Sequence, residues 1–76
     1  MKAFITYDCN GATVPMLNRV FFTDDKNAAF AEYARTITND YGNGNLSRVY
    51  GDGARVRCRL FLGDASRPAL TNTVTA

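Results

Sequence analysis

The chain of 76 residues has the length of one small domain, and its 46% hydrophobic and 12% aromatic residues exclude a chain that is disordered throughout. At this length roughly 60% of the surface of the unfolded chain is buried, so we expect one small core. Nine cationic against seven acidic side chains give a net charge of +2, which is too mild to indicate a nucleic-acid partner by itself. The absence of histidine and the wide separation of Cys9 and Cys58 exclude any standard zinc signature.

The N-terminal segment predicts a soluble protein of the cytoplasm. M-K-A-F-I-T-Y-D reaches an acid at residue 8 and therefore lacks the apolar run of a signal peptide. No window approaches the ~20 apolar residues of a membrane span. We expect both cysteines to be reduced, with Cys58 in the core, because a Cys9–Cys58 bridge would require neighbouring strands and an oxidising compartment.

Two strands are predicted before the helix. Residues 2–9 are rich in aromatic and β-branched side chains, which favour strands. Asn10-Gly11 is a turn signal, and residues 13–22 follow as a second strand. That strand begins after Pro15 or lies at an edge there, because proline cannot donate to a ladder. Its side chains are expected to divide into a core-facing set, Met16, Val20 and Phe22, and an outward set, Arg19 and Phe21.

One helix is predicted over residues 23–41. Thr23, Asp24 and Asp25 carry short oxygen-bearing side chains that can accept from free backbone N–H groups at a helix start. Gly42 is expected to end the helix in the left-handed conformation. The apolar residues expected to pack against the sheet recur on one helical face: Phe30, Ala34, Ile37 and Tyr41.

Residues 55–62 alternate between two kinds of side chain, which is typical of a strand with one buried face. The inward set is Val56, Cys58, Leu60 and Leu62, and the outward set is Arg55, Arg57, Arg59 and Phe61.

A hairpin is predicted to join this strand to the preceding segment. The Asp52-Gly53 dipeptide suits a two-residue type I′ turn, whose central residues both need positive φ. Such a turn sets Val49 opposite Val56 and Arg48 opposite Arg57. Apolar side chains then share one face and polar side chains the other, as a half-buried sheet requires.

Together the segments predict an α+β domain, with a single helix packed on a mainly antiparallel four-stranded sheet in the order ββαββ. Residues 1–76 form a single domain. For residues 66–76 the terminal position and low apolar content favour a loose tail over a short edge strand. The expected core consists of Ile5, Val20, Phe22, Phe30, Ala34, Ile37, Val49, Val56, Cys58, Leu60 and Leu62.

The outward face of the predicted sheet is the candidate binding surface. Its arginine and aromatic side chains can hold phosphates and stack bases, engage an acidic protein surface, or simply keep an exposed sheet face soluble. Like charges at Arg48 and Arg57 destabilise a sheet unless an anion lies between them, supplied by a partner or by a nearby carboxylate such as Asp8. The surface is expected to comprise Arg48, Tyr50, Arg55, Arg57, Arg59, Arg19, Phe21 and Phe61.

The sequence predicts no catalytic, cofactor or metal site. The glycines between residues 42 and 53 match neither phosphate-loop pattern, so we expect them to make turns. Ser47, Ser66 and the two cysteines have no recognisable activating partner, and no histidine can act as a base. We therefore expect a protein that is not an enzyme and that binds no cofactor.

In outline the chain resembles the small stand-alone proteins of bacteriophages and mobile elements, including some anti-CRISPR inhibitors. The similarity lies in the one-domain length, the M-K-A-F start that leads directly into a strand, one helix over residues 23–41, and flanking hairpins. The resemblance implies a non-enzymatic inhibitor, acting in the cytoplasm of a bacterial host, that blocks a host complex by occupying one of its surfaces.

Because the candidate surface is basic, the expected partner is a host protein or nucleoprotein complex with an acidic surface. The alternative is a nucleic-acid-binding module that holds RNA or single-stranded DNA on the same face. No membrane partner is expected.

Overall fold

The computed structural model describes residues 1–13 and 18–76. In chain order its elements are β1 (Lys2–Cys9), β2 (Ala12–Thr13), β3 (Arg19–Phe22), α1 (Lys26–Tyr41), α2 (Asn45–Tyr50), β4 (Arg55–Leu62) and β5 (Leu70–Thr75). The paired strands are antiparallel, so the molecule is an α+β domain as predicted. The predicted ββαββ order is not confirmed, because three strands precede two helices. Pro15 and Met16 of the predicted second strand lie outside the described residues.

β1 is the central strand of the sheet. β4 pairs along one edge of β1, from Ala3 opposite Leu62 to Cys9 opposite Val56. The other edge is shared, since β3 pairs with the first half of β1 and β2 with its end. The sheet is therefore four strands wide, with β5 on the outer side of β4. Residues 70–75 therefore form an edge strand. The sequence favoured a loose tail over residues 66–76, and this expectation is wrong for the residues of β5.

The core lies between one face of this sheet and the helices. Its buried residues come from alternate positions of β1 and β4 and from both helices, with Ala54 just before β4: Ala3, Ile5, Tyr7, Ala29, Tyr33, Tyr41, Leu46, Ala54, Val56, Cys58 and Leu60. The expected core positions Ile5, Val56, Cys58 and Leu60 are confirmed, and Phe30, Ile37 and Leu62 are partly buried against the core. Four expectations are wrong, because these side chains are exposed: Val20, Phe22, Ala34 and Val49.

α1 packs on the sheet through a stripe that is shifted by one residue in its first half and agrees with the prediction at Ile37 and Tyr41. Ala29 and Tyr33 are buried, whereas Ala34 is exposed. The small side chain of Ala29 lets the helix approach the sheet closely. The Tyr33 hydroxyl donates a hydrogen bond of 3.0 Å to the Cys58 carbonyl of β4. Satisfying a buried hydroxyl in this way stabilises the shifted stripe, because an unpaired buried polar group is costly.

The start signal at Asp25 and the end at Tyr41 agree with the sequence, but the conformation of Gly42 does not. The Asp25 carboxylate accepts a hydrogen bond of 2.8 Å from the Ala28 backbone N–H, which makes Asp25 the N-cap. Gly42 follows the helix with φ of −78°, so it is not the expected left-handed residue. Positive φ occurs one and two residues later, at Asn43 and Gly44, where the chain turns into α2.

Asp25→Ala should lower the free energy of unfolding by about 1 kcal/mol, because the Ala28 N–H then loses its side-chain acceptor. Urea denaturation monitored by circular dichroism measures the change. Asp24→Ala is the matched control, since it removes an exposed acid of the same helix start that is not the N-cap. Equal losses for the two variants would show that the effect is general electrostatics and not capping.

The predicted hairpin around Asp52-Gly53 is wrong, because residues 45–50 form helix α2. Leu46 anchors this helix in the core with 2% exposure, while Val49 is 68% exposed and lies away from Val56. Gly51 ends the helix with φ of 91°, a conformation that glycine adopts without strain. β4 therefore pairs with β1 and β5, and Arg57 lies opposite Asp8 instead of Arg48.

Cys9 and Cys58 are free thiols, as predicted. Burial raises the pKa of the Cys58 thiol to about 12, with a further contribution from the negative charge of Asp40. This thiol therefore stays protonated at neutral pH. Within residues 1–13 and 18–76, neither helix is long and apolar enough to cross a membrane.

Candidate binding surface on the open sheet face

Among the residues that the structure describes, the helices cover one face of the sheet and leave the other uncovered. Because successive side chains of a strand point to opposite faces, the positions between the buried residues of β1 and β4 lie on the uncovered face. Strand register assigns the matching residues of β3 and β5 to the same face. We call this surface the open face; it consists of Lys2, Phe4, Thr6, Asp8, Val20, Phe22, Arg55, Arg57, Arg59, Phe61, Thr71, Thr73 and Thr75.

One end of the open face is apolar. Phe4 of β1 lies directly opposite Phe61 of β4 on one side and Val20 of β3 on the other. Phe22 is 80% exposed and Val20 is 53% exposed. A shallow depression of about 430 Å³ lies over Phe4, Val20 and Phe61, with Lys2 and the loop of residues 63–65 among its lining residues.

The other end of the open face carries the arginines. Arg57 and Arg59 approach the same carboxylate oxygen of Asp8, at 3.0 and 3.4 Å. The Asp8 side chain is only 13% exposed, so the carboxylate lies between the two guanidinium groups. The sequence suggested that Asp8 could supply an anion between Arg48 and Arg57. Asp8 does pair with arginines, but its partners are Arg57 and Arg59.

Arg55 extends the basic end beyond this ion pair cluster. Its side chain is exposed, and its backbone N–H donates a 2.8 Å hydrogen bond to the side-chain oxygen of Asn10. A second depression, of about 220 Å³, is lined here by Asp8, Asn10, Gly11, Arg55, Arg57 and Thr73. The two depressions lie at opposite ends of β4, one apolar and one basic.

The structure places half of the predicted surface residues on the open face. Arg55, Arg57, Arg59 and Phe61 all lie there, while the following four lie elsewhere: Arg19, Phe21, Arg48 and Tyr50. Phe21 packs against the core, and Arg19 forms a 3.3 Å ion pair with Asp40 of α1. Both lie on the helix side because Arg19 is opposite the buried Ile5 in the register of β3.

Arg48 and Tyr50 belong to α2 and lie on the helix side of the molecule. The Arg48 guanidinium donates to the side-chain oxygen of Asn45. Tyr50 lines a separate depression of about 200 Å³, together with Val49, Arg19 and Asp40 among others. The predicted surface is therefore divided between two sides of the protein.

Sequence reasoning placed four of the thirteen open-face residues on the candidate surface and named Asp8 only as a nearby carboxylate. It missed the other eight: Lys2, Phe4, Thr6, Val20, Phe22, Thr71, Thr73 and Thr75. For Phe4 a signal exists in the sequence, because its parity differs from that of Ile5 and Tyr7, both of which are buried. For Val20 and Phe22 no such signal exists, since β3 carries three consecutive hydrophobic residues that leave its buried face undefined.

Three buried tyrosines outside the open face are held in their neutral forms. Burial raises the pKa of the Tyr7 hydroxyl to about 12, and the negative charge of Asp40 adds to the effect. Burial also raises the pKa values of Tyr33 and Tyr41. In the part of the chain that the structure describes, no group of three His, Cys, Asp or Glu side chains is placed to hold a metal ion.

Comparisons with family models, with curated proteins and with solved structures found no match to this chain.

Proposed function

We propose that this chain is a small non-catalytic binding protein, of the kind with which phages inhibit host complexes, and that it acts by docking its open face on an anionic surface of a larger protein or nucleoprotein complex. The observation that carries the proposal is the row formed by Val20, Phe4 and Phe61 across three neighbouring strands, exposed beside the arginines of β4.

The apolar end of the open face supports a docking role. Single exposed hydrophobic side chains are normal on protein surfaces, but contiguous exposed patches mark interaction sites. Here Phe22 and Val20 are largely exposed and adjoin the half-buried rings of Phe4 and Phe61. Aromatic residues and arginine are also the residue types that dominate binding energy in interfaces.

The charge of the open face supports an anionic partner. It carries four cations, Lys2, Arg55, Arg57 and Arg59, against the single carboxylate of Asp8. Asp8 neutralises part of this charge but also holds Arg57 and Arg59 in place. Complementary charge steers association and suppresses wrong partners more than it adds affinity.

A second candidate function is a nucleic-acid-binding module on the same face. The observation that favours it is the direct cross-strand pair of Phe4 and Phe61 next to the arginine row, because single-strand binders combine aromatic side chains with basic grooves.

The proposal is tested by capture of the host complex with the tagged protein, followed by an assay of the captured complex. The variant Phe22→Glu with Arg55→Glu changes two exposed residues of the open face and should abolish both capture and inhibition. The matched control is Val49→Glu with Arg48→Glu, which makes the same kind of change on exposed positions of α2. Equal behaviour of the two double variants would remove the open face from the interface.

A further inference from the structure

We infer that the anion recognised by the open face is a single strand of nucleic acid, with one base held over Phe4 and Phe61 and the backbone running along β4 past Arg59, Arg57 and Arg55. This inference rests on the proposed function, because it concerns the same face and names the chemistry of its partner.

The apolar depression has the properties of a base-binding site. Its volume of about 430 Å³ falls within the ~300–1,000 Å³ of typical small-ligand sites. Phe4 and Phe61 lie directly opposite each other on adjacent strands, about 4.8 Å apart in the hydrogen-bonding direction. Both rings are partly exposed. Bases of single strands stack on aromatic side chains that an open sheet presents in this way.

The rim of the depression adds polar groups beside the rings. Lys2 and Asp64 both line it. A lysine ammonium can contact a phosphate, and a carboxylate can accept from the exocyclic amino group of a base. The base site therefore combines a stacking floor with hydrogen-bonding edges.

The arginines of β4 continue from the base site in a line. Side chains two residues apart on a strand recur about 6.6 Å along one face, so Arg59, Arg57 and Arg55 follow each other along β4. The guanidinium groups of Arg57 and Arg59 converge on Asp8, and Arg55 extends the line beyond them. The contacts to Asp8 use one terminal nitrogen of Arg57 and one of Arg59. Each guanidinium has five N–H donors, so donors remain for phosphate oxygens.

β5 supplies hydroxyl groups along the same line. Thr71 lies opposite Arg59, Thr73 opposite Arg57 and Thr75 opposite Arg55. Threonine hydroxyls are common partners of phosphate oxygens in complexes with nucleic acid. A linear polyanion can therefore find positive charge and hydroxyl groups from Arg55 to Arg59 of β4.

The arrangement favours a single strand over an acidic protein. A protein interface normally has an apolar centre with a polar rim around it. On the open face the apolar part lies at one end, and the basic row leads away from it. The arrangement also favours a single strand over a duplex, because paired bases are stacked on each other and do not present a free face to Phe4 and Phe61.

The first measurement is fluorescence anisotropy of labelled oligo(dC) and oligo(rC), whose bases carry an exocyclic amino group, with a duplex of equal length for comparison, in a salt titration. The single strands should bind more tightly than the duplex. If the three arginines of β4 each neutralise one phosphate, the slope of log K against log salt should be about −2, at ~0.7 per phosphate for single strands.

The second measurement uses substitutions that keep the fold. Phe61→Leu retains apolar packing but removes the ring, and it should weaken binding by ~5- to 150-fold. Arg55→Gln should reduce the salt slope by about 0.7. The matched controls Tyr50→Leu and Arg48→Gln change the same residue types on α2, and both should leave binding and slope unchanged. Thermal unfolding of each variant checks that the fold is intact.

Three outcomes would overturn the inference: no binding of the single strands at low ionic strength, equal binding of the duplex, or binding that Phe61→Leu leaves unchanged. If the single strands do not bind while Phe22→Glu with Arg55→Glu still abolishes capture from a nuclease-treated extract, the partner is an acidic protein. The proposed function then stands and the inference fails.

Discussion

Val56→Ala should lower the free energy of unfolding by about 2 kcal/mol, whereas Val49→Ala should change it by less than about 0.5 kcal/mol. Val56 is 1% exposed in the core, so its truncation removes buried methyl groups and leaves a cavity. Val49 is 68% exposed on α2, where alanine also has the higher helix propensity. A small domain has only a few kcal/mol in total, so the difference is a large share of its stability.

Urea denaturation of the two variants side by side measures this difference. Comparing the two variants tests directly whether residues 45–50 form helix α2 or the predicted hairpin strand. A hairpin with Val49 opposite Val56 would bury both side chains. Similar losses of stability at the two positions would contradict α2 and return residues 46–50 to the sheet.

Raising the pH from about 9 towards 12 should progressively lower the stability of the folded protein. The ordinary pKa of a cysteine thiol is 9.0 and that of a tyrosine hydroxyl is 10.0, but burial raises the pKa of Cys58 and of Tyr7 to about 12. Between these values the unfolded chain has lost protons that the folded chain still holds, so stability falls as pH rises. Each tenfold difference in proton affinity contributes about 1.4 kcal/mol, so Cys58 alone costs about 4 kcal/mol by pH 12.

Circular dichroism followed from neutral to alkaline pH measures this transition. Cys58→Val replaces the thiol with an apolar side chain of similar size and should move the midpoint to higher pH, while stability at neutral pH changes little. Burial also raises the pKa values of Tyr33 and Tyr41, so the Cys58→Val variant should still lose stability at alkaline pH, but less than the unaltered protein. A midpoint that stays in place in Cys58→Val would exclude the thiol as a contributor.

The sequence predicts β4 well because its alternation is strict. Val56, Cys58 and Leu60 are buried, and Arg55 and Arg57 are exposed, as parity requires. Parity also predicts an apolar partner strand, but it does not identify that partner. β1 alternates in the same way through Ile5 and Tyr7, and it pairs with β4 where the sequence proposed residues 46–50.

For the short elements α2 and β3, the local sequence does not determine the type of secondary structure or the face that is buried. In α2 the i, i+3, i+4 spacing of Leu46, Val49 and Tyr50 fits one helical face, whereas strand alternation sets Val49 on the face opposite to Leu46 and Tyr50. β3 has too few residues for its hydrophobic pattern to show which face is buried. Its orientation follows from its pairing with β1 and from the packing of Phe21 against the core, which no local pattern predicts.

The candidate surface was predicted only in part, because local patterns show the face of a strand but not which strands lie beside it. Its four residues on β4 follow from local alternation, so their common face could be predicted before the fold was known. Phe4, Val20 and Phe22 join them only because β1 lies between β3 and β4. Such neighbours come from sheet order, which depends on tertiary contacts and not on propensity.

The central position of β1 also has a consequence for how the chain folds during synthesis. β1 pairs most extensively with β4, and the ion pair between Asp8 and Arg57 joins residues 49 positions apart. The two strands that form the middle of the sheet therefore meet only after α1 and α2 have been made. Long-range pairing of this kind slows folding, and the edge of β1 that pairs with β4 stays unpaired until β4 has left the ribosome.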